Sequence, residues 1–138
     1  MNEVVEFEPM HLTGIVDIEG LLGVGSFIQG LAHKQLGESA TVMVDGKVGA
    51  CGGIHRFWPG SGEAWMSISA DKVSPSLMKS VRVCFDRWME NYSRIQAVTR
   101  TGWIEGERTL LFLGFKFESV LIKFGPNSID KSLYARIR

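Results

Sequence analysis

Little in this sequence is in excess, and each scarcity removes a class of protein. Neither charge dominates: Lys plus Arg and Asp plus Glu each number 15 in 138 residues, so the net charge is zero. A neutral chain lacks the basic footprint that nucleic acid or an anionic membrane surface would require. Cysteine is scarce. Cys51 and Cys84 are the only two, without a CxxC pair or a His/Cys cluster, which sets aside a zinc site. They read as two buried thiols of a reduced, cytoplasmic-type protein. No apolar run reaches membrane-spanning length, and the acidic opening MNEVVEFEP lacks the charge pattern of a secretory leader. Lysine- or arginine-rich tails, low-complexity tracts and internal repeats are absent too.

What is present is a globular composition, 45% hydrophobic, of a length that suits one domain with a real core. Residues 4–9, VVEFEP, predict a first strand halted by proline. Apolar residues then recur at helical spacing over 12–36, interrupted by Gly23 and Gly25, which predicts two helices. Within that run, Gly20, Gly23 and Gly25 spell GxxGxG. A phosphate loop needs a strand before it and a helix opening after it, so this stretch reads as a helix–helix turn. ATVMV (40–44), Asp45-Gly46 and KVGACGGIHRF (47–57) form a hairpin pattern, because Asp-Gly supplies the positive φ angles of a type I′ turn. A second turn at 59–62 leads into EAWMSIS (63–69), completing a three-strand meander.

Ser74-Pro75 opens the most regular helix. Serine is a good N-cap, and proline is preorganised for the first helical position. Leu77, Val81, Cys84, Phe85, Trp88 and Tyr92 form its apolar stripe, with Lys79, Arg82, Asp86, Arg87 and Glu90 on the wet side. RIQAVTR (94–100) follows as a strand. From 106 the hydrophobic period changes across Gly114 from about 3.6 to 2, the pattern of helix, glycine stop and strand. SLYARIR (132–138) predicts a last strand. The expected order is β-α-α-β-β-β-α-β-α-β-β, an α/β chain with a mixed sheet. Strands 63–69 and 94–100 should be parallel neighbours joined by the long helix, since strand–helix–strand units cross over right-handedly in one sheet.

That order, ending in ERTLLFLGF (107–115), resembles the GNAT family of N-acyltransferases, which use acetyl-coenzyme A. The resemblance spans nearly the whole chain by element order and about ten residues by motif. It implies a GNAT-like mixed sheet with a cleft between the fourth and fifth strands, an acetyl-CoA cofactor, no metal, and a small-molecule or protein amine as acyl acceptor. The charge balance argues for no nucleic-acid or membrane partner, and a homo-oligomer stays open. The backbone of Ile68, Ser69 and Ala70 corresponds to the stretch that holds the thioester carbonyl. Lys72, Val73, Ser74 and Ser76 correspond to the loop and helix N-terminus that cradle the cofactor pyrophosphate. Glu63, the carboxylate of the fourth strand, and His55, at the end of the third, are the candidates for general base.

The chain also departs from the family pattern. The Gln/Arg-x-x-Gly-x-Gly/Ala loop is replaced by residues 69–76, which contain no glycine, carry the anionic Asp71 and lose one backbone donor at Pro75. The asparagine usual near the start of the late motif falls close to Trp103. The tyrosine often used as general acid falls close to Leu110, which cannot donate a proton. Trp58 and Trp65 read as core or pocket lining. Cys51 and His55, four residues apart on a strand, lie about 13 Å from each other and cannot form a nucleophile pair. Two functions therefore stand: an N-acyltransferase, or a non-catalytic GNAT-like structural or binding protein. The latter resembles small GNAT-like proteins of tailed bacteriophages, including virion-associated ones.

Overall fold

Asp45 and Gly46 take φ angles of 49° and 81°, the turn geometry that matches the right-handed twist of paired strands. The computed structural model describes residues 1–16 and 24–138, with side chains for all of these except 24–29. The turn joins β2 (Ser39–Val44) to β3 (Lys47–Trp58), and β3 folds back into β4 (Ser61–Ile68). β1 (Asn2–Val5) pairs outside β2. Helix α2 (Pro75–Met89) then carries the chain to β5 (Arg94–Arg100), which runs parallel to β4. Helix α3 (Ile104–Phe112), β6 (Lys116–Leu121) and β7 (Lys131–Ile137) complete the order. The seven strands lie as β1-β2-β3-β4-β5-β7-β6, with β7 inserted between β5 and β6. The mixed sheet, the meander and the helical crossover agree with the sequence reading.

The first quarter departs from it. The strand expected at 4–9 is the shorter β1, and Pro9 opens a 3-10 turn (Pro9–Gly14) instead of ending a strand. Phe7 is fully buried between the two, so the aromatic that suggested a strand serves a bend. Of the two helices expected over 12–36, the second is α1 (Val24–Gln35). The first would begin inside the 3-10 turn, and the Gly20–Gly23 part of the GxxGxG stretch lies outside the described residues.

Two apolar layers cover the sheet. On one face α2 and α3 enclose Val42, Ile54, Leu77, Phe85, Ile95 and Phe115. On the other, Leu12 of the 3-10 turn and Ile15 just after it meet Phe7, Cys51 and the half-buried Trp65. Alternation along β3 and β4 sends successive side chains to these two layers. Cys51 belongs to one and Cys84, on α2, faces the other; both are free thiols.

α2 starts as its sequence demands. The Ser74 hydroxyl accepts from the Leu77 N–H at 3.1 Å and Pro75 takes the first helical position. Its buried face is Leu77, Val81, Cys84, Phe85 and Met89. Trp88 is only half-buried, edge-on to Phe85 at 5.0 Å. Tyr92 is fully buried but lies beyond the end of the helix, where its hydroxyl donates to the Glu38 carboxylate at 2.6 Å. Gly114 (φ 92°) ends α3 in the left-handed region, as the period change predicted. No helix among the described residues is long and apolar enough to cross a membrane.

Candidate functional site

β4 and β5 are paired only at their beginnings. Ser61, Gly62 and Glu63 face Arg94, Ile95 and Gln96, and no pair follows. Beyond that rung each strand keeps its other neighbour: β4 stays with β3 up to Ile68 opposite Ala50, and β5 stays with β7 up to Arg100 opposite Lys131. The result is a cleft that opens toward the C-terminal ends of both strands. Its walls present backbone. The Ser69 N–H donates to the Gly49 carbonyl at 2.8 Å, which makes Ser69 and Gly49 a hydrogen-bonded pair. Antiparallel pairing alternates, so the peptide groups of Ile68 and Met66 point away from β3 and into the cleft. Of the three residues expected to hold a carbonyl, Ile68 is therefore the one whose N–H faces the gap. The Ser69 N–H is engaged as described, and the Ala70 N–H donates to the Val16 carbonyl at 2.6 Å.

The end of the cleft where a cofactor pyrophosphate would lie is closed by the chain itself. Pro75 has no N–H, and the Leu77 N–H is already bound to the Ser74 hydroxyl. The Ser76 hydroxyl accepts from the Asn2 amide at 2.9 Å. In the loop that leads into α2, Asp71 accepts from the Ser69 hydroxyl at 2.6 Å, with the Lys72 ammonium 3.4 Å from its other oxygen. That hydroxyl bond, ahead of the Lys72 charge, holds the Asp71 carboxyl below its usual range. Lys72 is thus turned toward a carboxylate, and Val73 is an exposed apolar residue. An incoming diphosphate would meet a fixed negative charge and few unoccupied donors. The residues present do not fit that group.

Around the apex of the cleft lies a polar row on the sheet face that carries α1. Glu63 sits on the last β4–β5 rung, where the Gln96 amide donates to it at 3.2 Å. Gln96 in turn accepts from Arg94, which grips Glu118 through two bonds of 2.7 Å. On the other side, His55 is directly opposite Glu63 in the β3–β4 register. The sequence brought Glu63 and His55 forward separately; the structure places them side by side.

A third group completes the row. His33, near the C-terminal end of α1, puts its Nδ1 2.5 Å from His55 Nε2. Its ring stacks on that of Trp65, 4.0 Å away and 9° from parallel, and the His55 ring lies to its side, 4.6 Å from His33 and 6.4 Å from Trp65. Burial, and then the His55 charge, lower the His33 pKa to about 4. Burial also lowers that of His55, against the pull of Glu63. Both imidazoles are therefore neutral at pH 7. The sequence reading passed over His33, because one histidine in a helical run carries no local sign of what faces it.

The remaining candidates are placed elsewhere. Trp58 is exposed at the β3–β4 turn, and Trp65 is packed under α1 with a buried indole N–H that has no partner among the described residues. Desolvation pushes the Cys51 thiol up to about 11, so it is no nucleophile. Leu110, where the resemblance puts a general acid, is buried. The hydroxyl that reaches α3 is that of Tyr134, donating to Glu107 at 3.1 Å. Among the described residues no group of three or more His, Cys, Asp or Glu side chains could hold a metal ion.

The sequence matches no family model and no curated protein. Solved structures do resemble the fold. The ribosomal-protein-S18-alanine N-acetyltransferase from Escherichia coli superposes with a TM-score of 0.80 at 12% identity, covering 99% of this chain and 94% of the other. A GNAT-family acetyltransferase from Streptococcus pneumoniae gives 0.73 at 14% identity, covering 99% of each chain. The microcin C7 self-immunity acetyltransferase MccE, solved with acetyl-CoA and AMP, gives 0.71 at 10% identity over 94% of this chain and 81% of the other. The chain has the GNAT fold.

Proposed function

We propose that this chain is a GNAT-fold protein that keeps the splayed cleft but works by binding, as a structural or interaction protein, and not by acetyl transfer. The observation that carries this reading is the spent N-terminus of α2: Pro75 lacks a donor, Ser74 occupies that of Leu77, and the loop leading in carries the anionic Asp71. A helix end attracts a diphosphate through free N–H groups and its dipole, each effect being worth about 0.3–1 kcal/mol on a wet surface. With those donors spent and a carboxylate added, coenzyme A affinity falls to the micromolar-to-millimolar range. A virion-associated role, like that of small phage GNAT-like proteins, is one form this function would take.

A second reading rests on a different observation. Glu63 and the neutral His55 stand together at the cleft apex, where an N-acyltransferase would need a base to take a proton from an amine acceptor. The Ile68 N–H facing the cleft would supply a donor to the thioester carbonyl of acetyl-CoA. This reading requires that the pantetheine arm supply most of the cofactor affinity.

Thermal shift with coenzyme A, paired with an assay for thiol release from acetyl-CoA in the presence of polyamines and peptide N-termini, separates the two. A ligand at a hundred times its Kd stabilises by about 2.7 kcal/mol, a rise of several degrees in Tm. The expected outcome is no amine-dependent thiol release, with a shift at millimolar coenzyme A no larger than weak binding gives. A clear shift together with turnover establishes the acyltransferase.

A further inference from the structure

The chain has three histidines, and all three lie on the face of the sheet carrying α1, around one aromatic cluster. His11 is edge-on to Phe7 at 6.3 Å, Phe7 is edge-on to Trp65 at 5.1 Å, and His33 and His55 stack beyond Trp65. His33 is the polar link from the last turn of α1 to the sheet. We propose that the His33–His55 pair is an acid-released latch, closed at neutral pH and opened when both rings are protonated, which frees the last turn of α1 from β3 and uncovers Trp65, while Lys34 keeps that turn tied to Glu6, Glu8 and the Phe7 carbonyl.

The geometry allows only one proton between the rings. With His33 Nδ1 and His55 Nε2 2.5 Å apart, one nitrogen donates and the other must accept. One added proton can go to the outer nitrogen of the donor ring and leave this bond intact, whereas two make both rings cations and set two N–H groups against each other. The charged groups nearby, among the described residues, do not relieve that repulsion for both rings. On β4, Glu63 faces His55 and favours its protonation. On β3, Arg56 is a cation committed to Glu38 and Tyr92. On α1 itself, Lys34 is bound by Glu6 and Glu8 and by the Phe7 carbonyl. His11 Nδ1 lies against the Glu8 N–H and the Thr41 hydroxyl. Trp65 and Phe7 offer only ring faces and edges.

The sign follows from linkage. Both folded pKa values lie below the unfolded one, so the latched form binds fewer protons than the released form. The latch is at full strength above about pH 6.5 and is lost as the pH falls toward the folded value, about 4 for His33. Release has a defined hinge. The Arg56 N–H holds the Leu36 carbonyl at 2.8 Å, and a Cβ at Gly37 would come within 2.2 Å of the Ile54 carbonyl oxygen, so the chain after α1 stays against β3.

Amide hydrogen exchange across α1, read as protection factors at several pH values, tests the proposal beside NMR titration of the imidazole carbons. In the parent, α1 protection should fall by roughly tenfold per pH unit per extra proton between about pH 6 and pH 4.5, while that of β5 and β7 holds. His33→Phe keeps a ring against Trp65 but has no proton to gain, and should flatten the dependence. His55→Phe is the second variant, with the same expected result. Constant α1 protection in the parent, or an unchanged slope in either variant, overturns the latch. If neither variant folds, the parent titration decides: both rings titrating near 6.5 would overturn the proposal, and depressed values for the pair would sustain it.

Discussion

The Gln96 amide donates to the Glu63 carboxylate at 3.2 Å across the last rung on which β4 and β5 are still joined. One step further along either strand the backbone has no cross-strand partner in this direction. Glu63 thus occupies the only position on β4 where a carboxylate meets both the cleft and His55. Glu63→Gln keeps the shape and a polar contact with Gln96, so Tm should stay within about 1 °C of the parent. If acetyl transfer occurs at all, kcat should drop by about 10²–10⁴-fold, the usual contribution of a general base. Steady-state rates on both proteins check this.

Phe85 and Trp88 should separate in urea denaturation. Phe85 is 1% exposed at the centre of the α2 face, and Phe85→Ala should cost about 3–5 kcal/mol through lost burial and the cavity left behind. Trp88 is half-buried and borders a cavity of about 20 Å³ lined also by Val42, Ala50 and Cys84. Trp88→Ala should cost about 1–3 kcal/mol, since part of its ring is already in water. Equal losses would mean that Trp88 is as central as Phe85.

Gly114→Val should destabilise by about 1–3 kcal/mol. The position has φ 92°, and an added Cβ would lie 3.2 Å from the Arg136 guanidinium. That guanidinium donates to the Leu113 carbonyl at 3.0 Å and pairs with Asp86 at 2.7 Å, so it cannot retreat freely. Gly114→Asn should cost less, because asparagine tolerates the left-handed region. Chemical denaturation of both variants gives the ranking.

Three changes at the α2 N-terminus should move coenzyme A affinity in opposite directions. Asp71→Asn removes the opposing charge and should tighten binding several-fold; Lys72→Ala should weaken it. Pro75→Ala returns one donor to the helix end and should tighten it modestly. The effects of the two charge changes should shrink at about 0.5 M salt, where the screening length is only a few ångströms. Calorimetry at low and high salt measures all three. Affinity indifferent to every change would place the phosphates away from α2.

The parts of the fold that were legible are those whose instructions are local. Asp45-Gly46, Ser74-Pro75 and Gly114 each specify a backbone conformation within a few residues, and each stands where it was read. The crossover from β4 to β5 followed from chain order and handedness. Tyr92 was misplaced onto α2 because helical spacing continues past the residue where the helix stops. The first strand ends at Val5 and not at Pro9 for a similar reason, since Phe7 is apolar to fill a bend. The candidate site was half legible. Glu63 and His55 could be named one at a time from their chemistry, whereas their adjacency comes from the β3–β4 register and His33 joins them only through tertiary packing. Gln96, Arg94 and Glu118 looked like ordinary strand residues.

β7 has a further consequence. Among the described residues β6 pairs with β7 and with no other strand, and β7 is held to the rest of the sheet through β5 alone. The two strands therefore form a single leaf on one hydrogen-bonded hinge line, and β7 cannot leave the sheet without taking β6 with it. Slow hydrogen–deuterium exchange should show them opening as one cooperative unit, with amides of 116–121 never better protected than those of 131–137. The ladder also closes over a long stretch of chain, from β5 across α3 and β6, so its loop-closure cost falls on the docking of this leaf. The β2–β4 meander, built from turns of a few residues, has no such toll, and it can be in place as a template before the leaf swings in.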